Sequence, residues 1–354
     1  MSEPVIAGIQ QVGVGVSSAP DAFDWYRQHF GFDIRIFDDV AEAPLMRGYT
    51  GGVVQRRRAI LAVNMAGGGG LEIWQFLSRT PVAPVTPVAL GHSGLFAARL
   101  KTPDADAAMR FLRDRGAEIT SVTMERDPDG VRHFFTRDPY GNYFDVAEHR
   151  ERFTNTAHPI GGVYGVIVGV SDADRSAAFY RSVLGFDRVI FDATDRFADL
   201  AAVPGGTALV RRVRLARSTP PAGPFSVLLG AAHVELVQTL DRSMPRIYDG
   251  RFWGDLGFIH VCFDVRGIDA IHARASAAGR PATVDSAGSF DMGEAAGRFS
   301  YVEDPDGTLV ELVETHKVPV LKKLGWYIDL RKRPADRALP KWMVRSLAFN
   351  RVRD

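Results

Sequence analysis

His260 and Glu311 combine residue types and positions that suit chemistry. In Phe258–Val265, Val261, Phe263 and Val265 share one strand phase, so His260, Cys262 and Asp264 point to the opposite face. In Thr308–Val313, Val310 and Leu312 take the core phase, which sends Glu311 to the other face with Leu309 and Val313. An imidazole and a carboxylate on one apolar face suit divalent-metal ligation or proton transfer. The plainer reading is a hydrogen-bonded core histidine beside an ion-paired glutamate. Near the N-terminus, Val12, Val14 and Val16 leave Gln11 on the face away from the core, and Leu71 and Ile73 leave Glu72 and Trp74 there. Two further strand sets offer Ala97 with Asp145, and Gly165 with Glu235, the latter preceded two residues earlier by His233.

The elements that must position these residues repeat. A shift of 154 residues places Trp25-Tyr26-Arg27 on Phe179-Tyr180-Arg181 and Gly31-Phe32-Asp33 on Gly185-Phe186-Asp187. Leu71-Glu72-Ile73-Trp74-Gln75 matches Val234-Glu235-Leu236-Val237-Gln238, and Asp138-Pro139-Tyr140-Gly141 matches Asp304-Pro305-Asp306-Gly307. So many matches in order mark a tandem duplication with halves at 1–150 and 160–316. Each half contains two passages of strand, helix and several strands. Val163–Val170 alternates as a strand, Asp172 opens a helix through Phe179, Tyr180, Val183 and Leu184, and Gly185 caps it. Strands follow at Arg188–Phe191, Val210–Ala216 and Val227–Val237, and a further helix at Ile268–Ala278 ends before Gly279. The expected fold is α+β, with four βαβββ modules.

A helix ending in Phe-Tyr followed four residues later by Gly-Phe, with a closing Asp-Pro-Asp-Gly-x-x-x-Glu-Leu, resembles the vicinal oxygen chelate superfamily. That family includes glyoxalase I, methylmalonyl-CoA epimerase, extradiol dioxygenases and bleomycin-resistance proteins. The resemblance covers 1–316. It implies two paired eight-stranded cup-like sheets, with metal ligands at the first and last strands of each module. Pairing of neighbouring modules would group Gln11, Glu72, Ala97 and Asp145 in one cup, and Gly165, Glu235, His260 and Glu311 in the other. Pairing of module 1 with module 4 would instead give one cup Gln11, Glu72, His260 and Glu311. The other would then hold Ala97, Asp145, Gly165 and Glu235. One full site and one without a metal is the tidier outcome, and Glu235 is the alternative ligand.

Such ligands suit Zn²⁺, Ni²⁺, Mn²⁺, Co²⁺ or Fe²⁺. By resemblance to glyoxalase I, Glu311 is the first candidate base and Glu72 the second, in a lyase or isomerase acting on a small molecule. An extradiol-type dioxygenase and a resistance-type binding protein are the alternatives. Trp74 is cup wall or a stacking surface, Cys262 a small buried hydrophobe on the cup face, and His233 a residue near the pocket. Gly67–Gly70 lacks the context of a nucleotide loop and reads as a hairpin connection. Arg56-Arg57-Arg58 and Arg211-Arg212 read as alternating at a strand surface, where they would meet either solvent or an acidic ligand.

Composition bounds the rest. The 354 residues are 46% hydrophobic and 24% charged, which excludes a disordered or collagen-like chain. A net charge of +1 gives no global attraction to nucleic acid. The single Cys262, the absence of a signal-like N-terminus and the lack of a long apolar run suggest a cytoplasmic monomer or homodimer without a membrane span. The near-neutral sum hides an uneven distribution. Residues 317–354 carry 11 Lys/Arg against 3 Asp/Glu, net +8, leaving −7 on 1–316. Trp326, Tyr327, Leu330, Trp342, Met343, Leu347 and Phe349 interleave with that charge. The segment could meet a membrane surface or an acidic partner, but its prolines and aromatics favour a strap docked on the acidic body.

Overall fold

The computed structural model describes residues 3–287, 290–292, 295–321 and 326–353. Four strand-helix-strand modules build two curled sheets, and each sheet takes one module from each half of the chain. In the ten-stranded sheet the path runs Val284–Asp285, Ala295–Glu303, Leu309–Leu321, Gly257–Arg266, Val5–Gly15, Gly70–Phe76, Arg56–Val63, Ile34–Glu42. Phe290–Met292 and Trp326–Asp329 add to that eight-strand path. The nine-stranded sheet likewise has an eight-strand path, joined at its centre by Gly94–Thr102 beside Val163–Gly169. Module 1 therefore pairs with module 4, and module 2 with module 3.

The helices form where their ends are capped. Ser18 and Asp172 accept from the backbone N–H groups of Asp21 and Arg175, and Gly31 and Gly185 close the helices Ala19–Phe30 and Ala173–Leu184. Their apolar faces join the convex faces of both sheets in one core, with Val12, Val14, Tyr26, Ile73, Phe144, Val166, Tyr180, Val261 and Phe263 buried in it. The two repeated motifs meet there. The Tyr26 hydroxyl donates to Asp138 at 2.6 Å, and the Tyr180 hydroxyl donates to Asp304 at 3.3 Å. Each Asp also gathers backbone N–H groups of its own Asp-Pro-x-Gly turn, from Tyr140 and Asn142 or from Asp306 and Thr308. A helix in one half-module thus clamps the hairpin of the next.

Two expectations need correction. The stretch read as one strand, Val227–Val237, is a helical turn at Ser226–Leu229 followed by a strand at His233–Thr239. Gly230 at φ 69° breaks the extension, and Leu228 joins a separate apolar cluster. The arginines alternate as expected, but not all face solvent. Arg58 pairs with Asp38, and Arg211 with Asp174 and Asp192, on the outside. Arg57, Arg212 and Arg214 turn inward and are buried. The Gly67–Gly70 run does connect strands Arg56–Val63 and Gly70–Phe76, and it also exchanges backbone hydrogen bonds with Gly162 and Val163.

The basic tail docks on the body. Trp326–Asp329 pairs with the extended end of Leu309–Leu321, and Leu330, Leu339 and Val344 bury against Ile34, Val63, Met65, Phe153 and Leu228. The side chain of Trp326 lies outside the described residues. Backbone bonds tie Gly223 to Asp336 and Leu339 to Pro224, and Arg351 pairs with Asp33. The strap therefore braces module 1 against module 3.

The two tyrosine clamps differ in length, and so should their loss. Tyr26→Phe is expected to cost about 1.5–3 kcal/mol and Tyr180→Phe about 0.5–1.5 kcal/mol in urea denaturation. Equal costs, or the reverse order, would show that the clamps do not bear on stability in this way.

Candidate metal centre

The antiparallel pairing of Val5–Gly15 with Gly257–Arg266 puts four strands side by side: Leu309–Leu321, Gly257–Arg266, Val5–Gly15 and Gly70–Phe76. Register then aligns two rows across them. Glu311 stands beside Cys262, which stands beside Gln11; His260 stands beside Gly13, which stands beside Glu72. Gln11 Nε2 lies 3.3 Å from both Glu72 and Glu311, while His260 Nε2 lies 3.4 Å from Glu72 and 3.1 Å from Glu311. Glu72, His260 and Glu311 each offer a ligand atom within 4.8 Å of the others. All four residues are buried.

This cluster has the electrostatics of a cation site. Two carboxylates face one imidazole. Burial opposes the charge on His260, but Glu311 and Glu72 raise its pKa to about 9. Burial pushes the Glu311 carboxyl up, and His260 more than reverses that, so it stays ionised. Even with the imidazolium present, the group carries an excess negative charge in a low-dielectric setting. Gln11 Oε1 and His260 Nε2 are buried without an aligned hydrogen-bond partner. Turning the Gln11 amide over exchanges its oxygen and nitrogen without changing its shape, which aims a second lone pair at the cluster. The residues present fit a divalent ion with nitrogen and oxygen ligands.

Two residues that the strand-phase reading passed over complete the geometry. A Cβ built on Gly13 would lie 2.4 Å from His260 Cε1, so only glycine leaves room for that ring to lean toward Glu72. Its signal was a residue without a side chain at the cup-facing phase between two ligand positions. The Tyr301 hydroxyl lies 3.3 Å from His260 Nδ1, on the strand neighbouring Glu311. It fixes the far side of the imidazole.

Around this centre the cup is aromatic. Trp74, Trp253 and Tyr301 are buried with Met46, Ala59 and Ile259. Trp74 and Trp253 pack at 4.3 Å between centroids, and Arg57 lies 5.0 Å over Trp74. Arg57 Nε and both indole N–H groups have no acceptor. Cys262 sits between Gln11 and Glu311, its thiol pushed up by burial and then by Glu311, so it is no thiolate at neutral pH.

Glu235 and His233 are not brought to this cluster. Both lie on His233–Thr239 in the nine-stranded sheet. His233 packs 5.7 Å from Tyr164, and burial with Arg99 and Arg214 lowers it to about 3, leaving it neutral. Glu235 occupies the position equivalent to Glu72 but meets guanidiniums: Arg212 Nε at 2.8 Å and Arg214 Nη2 at 2.6 Å. Arg214 also holds Asp127 at 2.7 Å, Arg99 holds Asp145 at 3.2 Å, and Arg212 holds Asp199 at 2.8 Å. His133 joins Asp145 at 2.8 Å; burial works against its charge, but Asp145 and Asp199 raise it to about 9. Three guanidiniums and an imidazolium thus balance four carboxylates, all buried. By register, Arg212 and Arg214 stand where the first cup has Ala59 and Leu61. The second cup is closed by its own charges.

The paired duplicate modules and the ligand-bearing cup point to one family. The chain belongs to the Glyoxalase/Bleomycin resistance protein/Dioxygenase superfamily, whose profile matches residues 8–146 and 162–312. The fold is similar to that of glyoxalase I from Zea mays, at 14% identity, covering 88% of this chain and 92% of that one with a TM-score of 0.54. It is similar also to a putative dioxygenase from Bacillus subtilis, at 13% identity, covering 88% of this chain and 86% of that one with a TM-score of 0.53. Among curated protein sequences none matches this chain.

The charge-filled cup makes a stability prediction. Burial opposes the ionisation of both Asp127 and Glu235, but Arg99 and Arg214 lower Asp127 to about 2, and Arg212 with Arg214 holds Glu235 well below the usual carboxylate range. Groups with depressed folded pKa values contribute stability above their unfolded values near 4 and lose it as pH falls. Arg214→Leu should cost about 3–5 kcal/mol at neutral pH, because two carboxylates lose a partner. Its melting temperature should then fall less than that of the wild type between about pH 5 and pH 2. A neutral-pH cost near zero, or parallel pH curves, would show that the network is not held by these pairs.

Proposed function

We propose that this protein is a metal-dependent lyase or isomerase of glyoxalase type, which binds a small molecule through two neighbouring oxygens and moves a proton beside a carbonyl. The observation that carries the reading is the convergence of Gln11, Glu72, His260 and Glu311, with His260 Nε2 within 3.4 Å of both carboxylates and Gln11 Oε1 left without a partner. A divalent ion held there would supply Lewis-acid stabilisation of the negative charge that develops on the carbonyl oxygen.

The chain's own groups do the rest. Gln11 and His260 are the neutral ligands, and Glu72 and Glu311 the anionic ones. Glu311, ionised at neutral pH, is the first candidate to take the carbon-bound proton on a carboxylate oxygen and return it to the adjacent carbon. Glu72, on the opposite side of His260, is the second. Gly13 and Tyr301 position the imidazole. Trp74, Trp253 and Met46 exclude water, and the free donors of Arg57, Trp74 and Trp253 offer hydrogen bonds to a substrate acceptor. A ferrous dioxygenase would call for two histidines and one carboxylate, whereas this cluster holds one histidine and two carboxylates. A cup that merely captured a ligand would bury this excess negative charge to no purpose.

Metal content of the purified protein tests the reading, with Gln11→Ala, His260→Ala and Glu235→Gln alongside. Near-stoichiometric divalent metal should be lost in the first two and kept in the third. Loss on changing Glu235 alone would overturn the site assignment, and a metal-free wild type would leave a ligand-binding cup. Glu311→Gln should retain metal yet lose about 10²–10⁴-fold in turnover of the methylglyoxal–glutathione hemithioacetal. Ring cleavage of catechol by the iron-loaded protein, with no isomerisation, would replace the proposal with a dioxygenase.

A further inference from the structure

We infer that the C-terminal strap carries a peripheral membrane-binding patch for anionic phospholipid, built on Trp342 and Phe349. The inner face of Lys341–Asn350 is already occupied. Val344 is buried in the apolar cluster formed with Ile34, Val63 and Leu228, and Met343 and Leu347 pack beside it. The outer face is not covered. Trp342 is 65% exposed and Phe349 91% exposed, more than any other aromatic side chain among the described residues. Lys341–Arg345 is α-helical and runs directly into the 3-10 turn Ser346–Asn350. Four α-helical steps of about 100° and three 3-10 steps of about 120° bring position 349 back to within about 40° of position 342, on the side opposite the buried Val344, with Arg345 between them in sequence.

The strap's exposed charge is mostly cationic, with Asp336 as an exposed carboxylate among it. Lys332, Arg337, Lys341, Arg345 and Arg353 are exposed, and none of them makes an ion pair among the described residues. Arg331 and Arg351, by contrast, are held by Asp329 and Asp33. The strap carries a net charge of +8 over 317–354, while the rest of the chain is at −7. Docking therefore satisfies the strap's apolar face and leaves much of its charge facing outward.

Proud aromatic rings on a cationic rim match the headgroup boundary of a bilayer. There Trp and Phe enter the apolar margin, and Lys and Arg meet phosphates. A protein partner of comparable affinity usually receives its anchors in a recessed, well-packed pocket and presents one in return. The patch offers two protruding rings, and the recess nearby, lined by Arg27, His158, Arg351 and Arg353, does not include them. The segment is held in place by its inner face, so lipid contact carries little ordering cost. No helix among the described residues is long and apolar enough to cross a membrane, so the contact is with the surface.

Co-sedimentation of the full chain with large unilamellar vesicles tests this. Vesicles of phosphatidylcholine containing about one third phosphatidylglycerol should bind the protein, and pure phosphatidylcholine should bind it at least roughly tenfold less. Trp342→Ala/Phe349→Ala and Lys341→Glu/Arg345→Glu should each lower binding to the anionic vesicles by roughly tenfold or more, with metal content unchanged. Raising the salt should weaken wild-type binding. No binding to anionic vesicles, or binding that survives both double variants, overturns the inference. A doubled mass in sedimentation equilibrium that the aromatic double variant abolishes would make the patch a contact between copies of the chain, and would overturn it equally.

Discussion

The antiparallel contact between Val5–Gly15 and Gly257–Arg266 is the constraint on which the rest depends. Gln11 and Glu72 lie in the first quarter of the chain, His260 and Glu311 in its last third. Only when the first strand of module 1 abuts the first strand of module 4 do their strands become neighbours in one sheet. Residues separated by some 300 positions then meet at hydrogen-bonding distance. The register of that contact matters as much as its existence. A slip by one residue would turn every side chain of one strand to the opposite face and scatter the four donors. Bulges between Ile9 and Gln11 and between Gly13 and Val14 set the local register, and Gly13 admits the imidazole.

The duplicated cup shows what the same scaffold becomes with different side chains. Both cups have a carboxylate near the start of each module's last strand: Glu72 and Glu311 in one, Asp145 and Glu235 in the other. In the first, the neighbouring strand contributes Ala59 and Leu61, which bring no charge. In the second, it contributes Arg212 and Arg214, and Arg99 occupies the place of Cys262. The second set therefore reaches neutrality from within, while the first keeps an excess of negative charge. Buried excess charge is costly unless a counterion meets it. Asymmetry in charge balance, more than any difference in backbone, separates a cup that attracts a cation from one that needs none.

Much of the scaffold was legible because its signals are local and repeated. The 154-residue shift, the Asp N-caps, the glycine C-caps and the alternation of Val12, Val14 and Val16 each act over a few residues. The 1–4 pairing could be weighed against its alternative only by asking which grouping collects useful ligands, and the sheet order agrees with the grouping that collects them. What escaped was long-range. Arg212 looked like a surface residue because nothing near it in sequence announces Asp199 and Glu235. Tyr301 carries no local sign of a role at the site, because its strand lies beside Glu311 only in the assembled sheet. The Ser226–Leu229 turn was hidden in a run of apolar residues that suits a strand or a helix equally well.

The tail completes the electrostatic picture. Residues 1–316 carry a net −7, and a basic segment attached to such a body would be expected to spend its charge there. The contacts show otherwise. Among the described residues, strap and body meet chiefly through Leu330, Leu339 and Val344, through backbone hydrogen bonds and through the one ion pair Arg351–Asp33. Apolar contact does not consume cations, so Lys332, Arg337, Lys341, Arg345 and Arg353 stay in solvent, and the protein keeps a carboxylate-rich region and a cationic one. One is buried and suited to a divalent ion; the other is exposed and suited to an anionic surface. Since charges separated by more than about 8 Å at physiological salt are largely screened from each other, each region can act without cancelling the other.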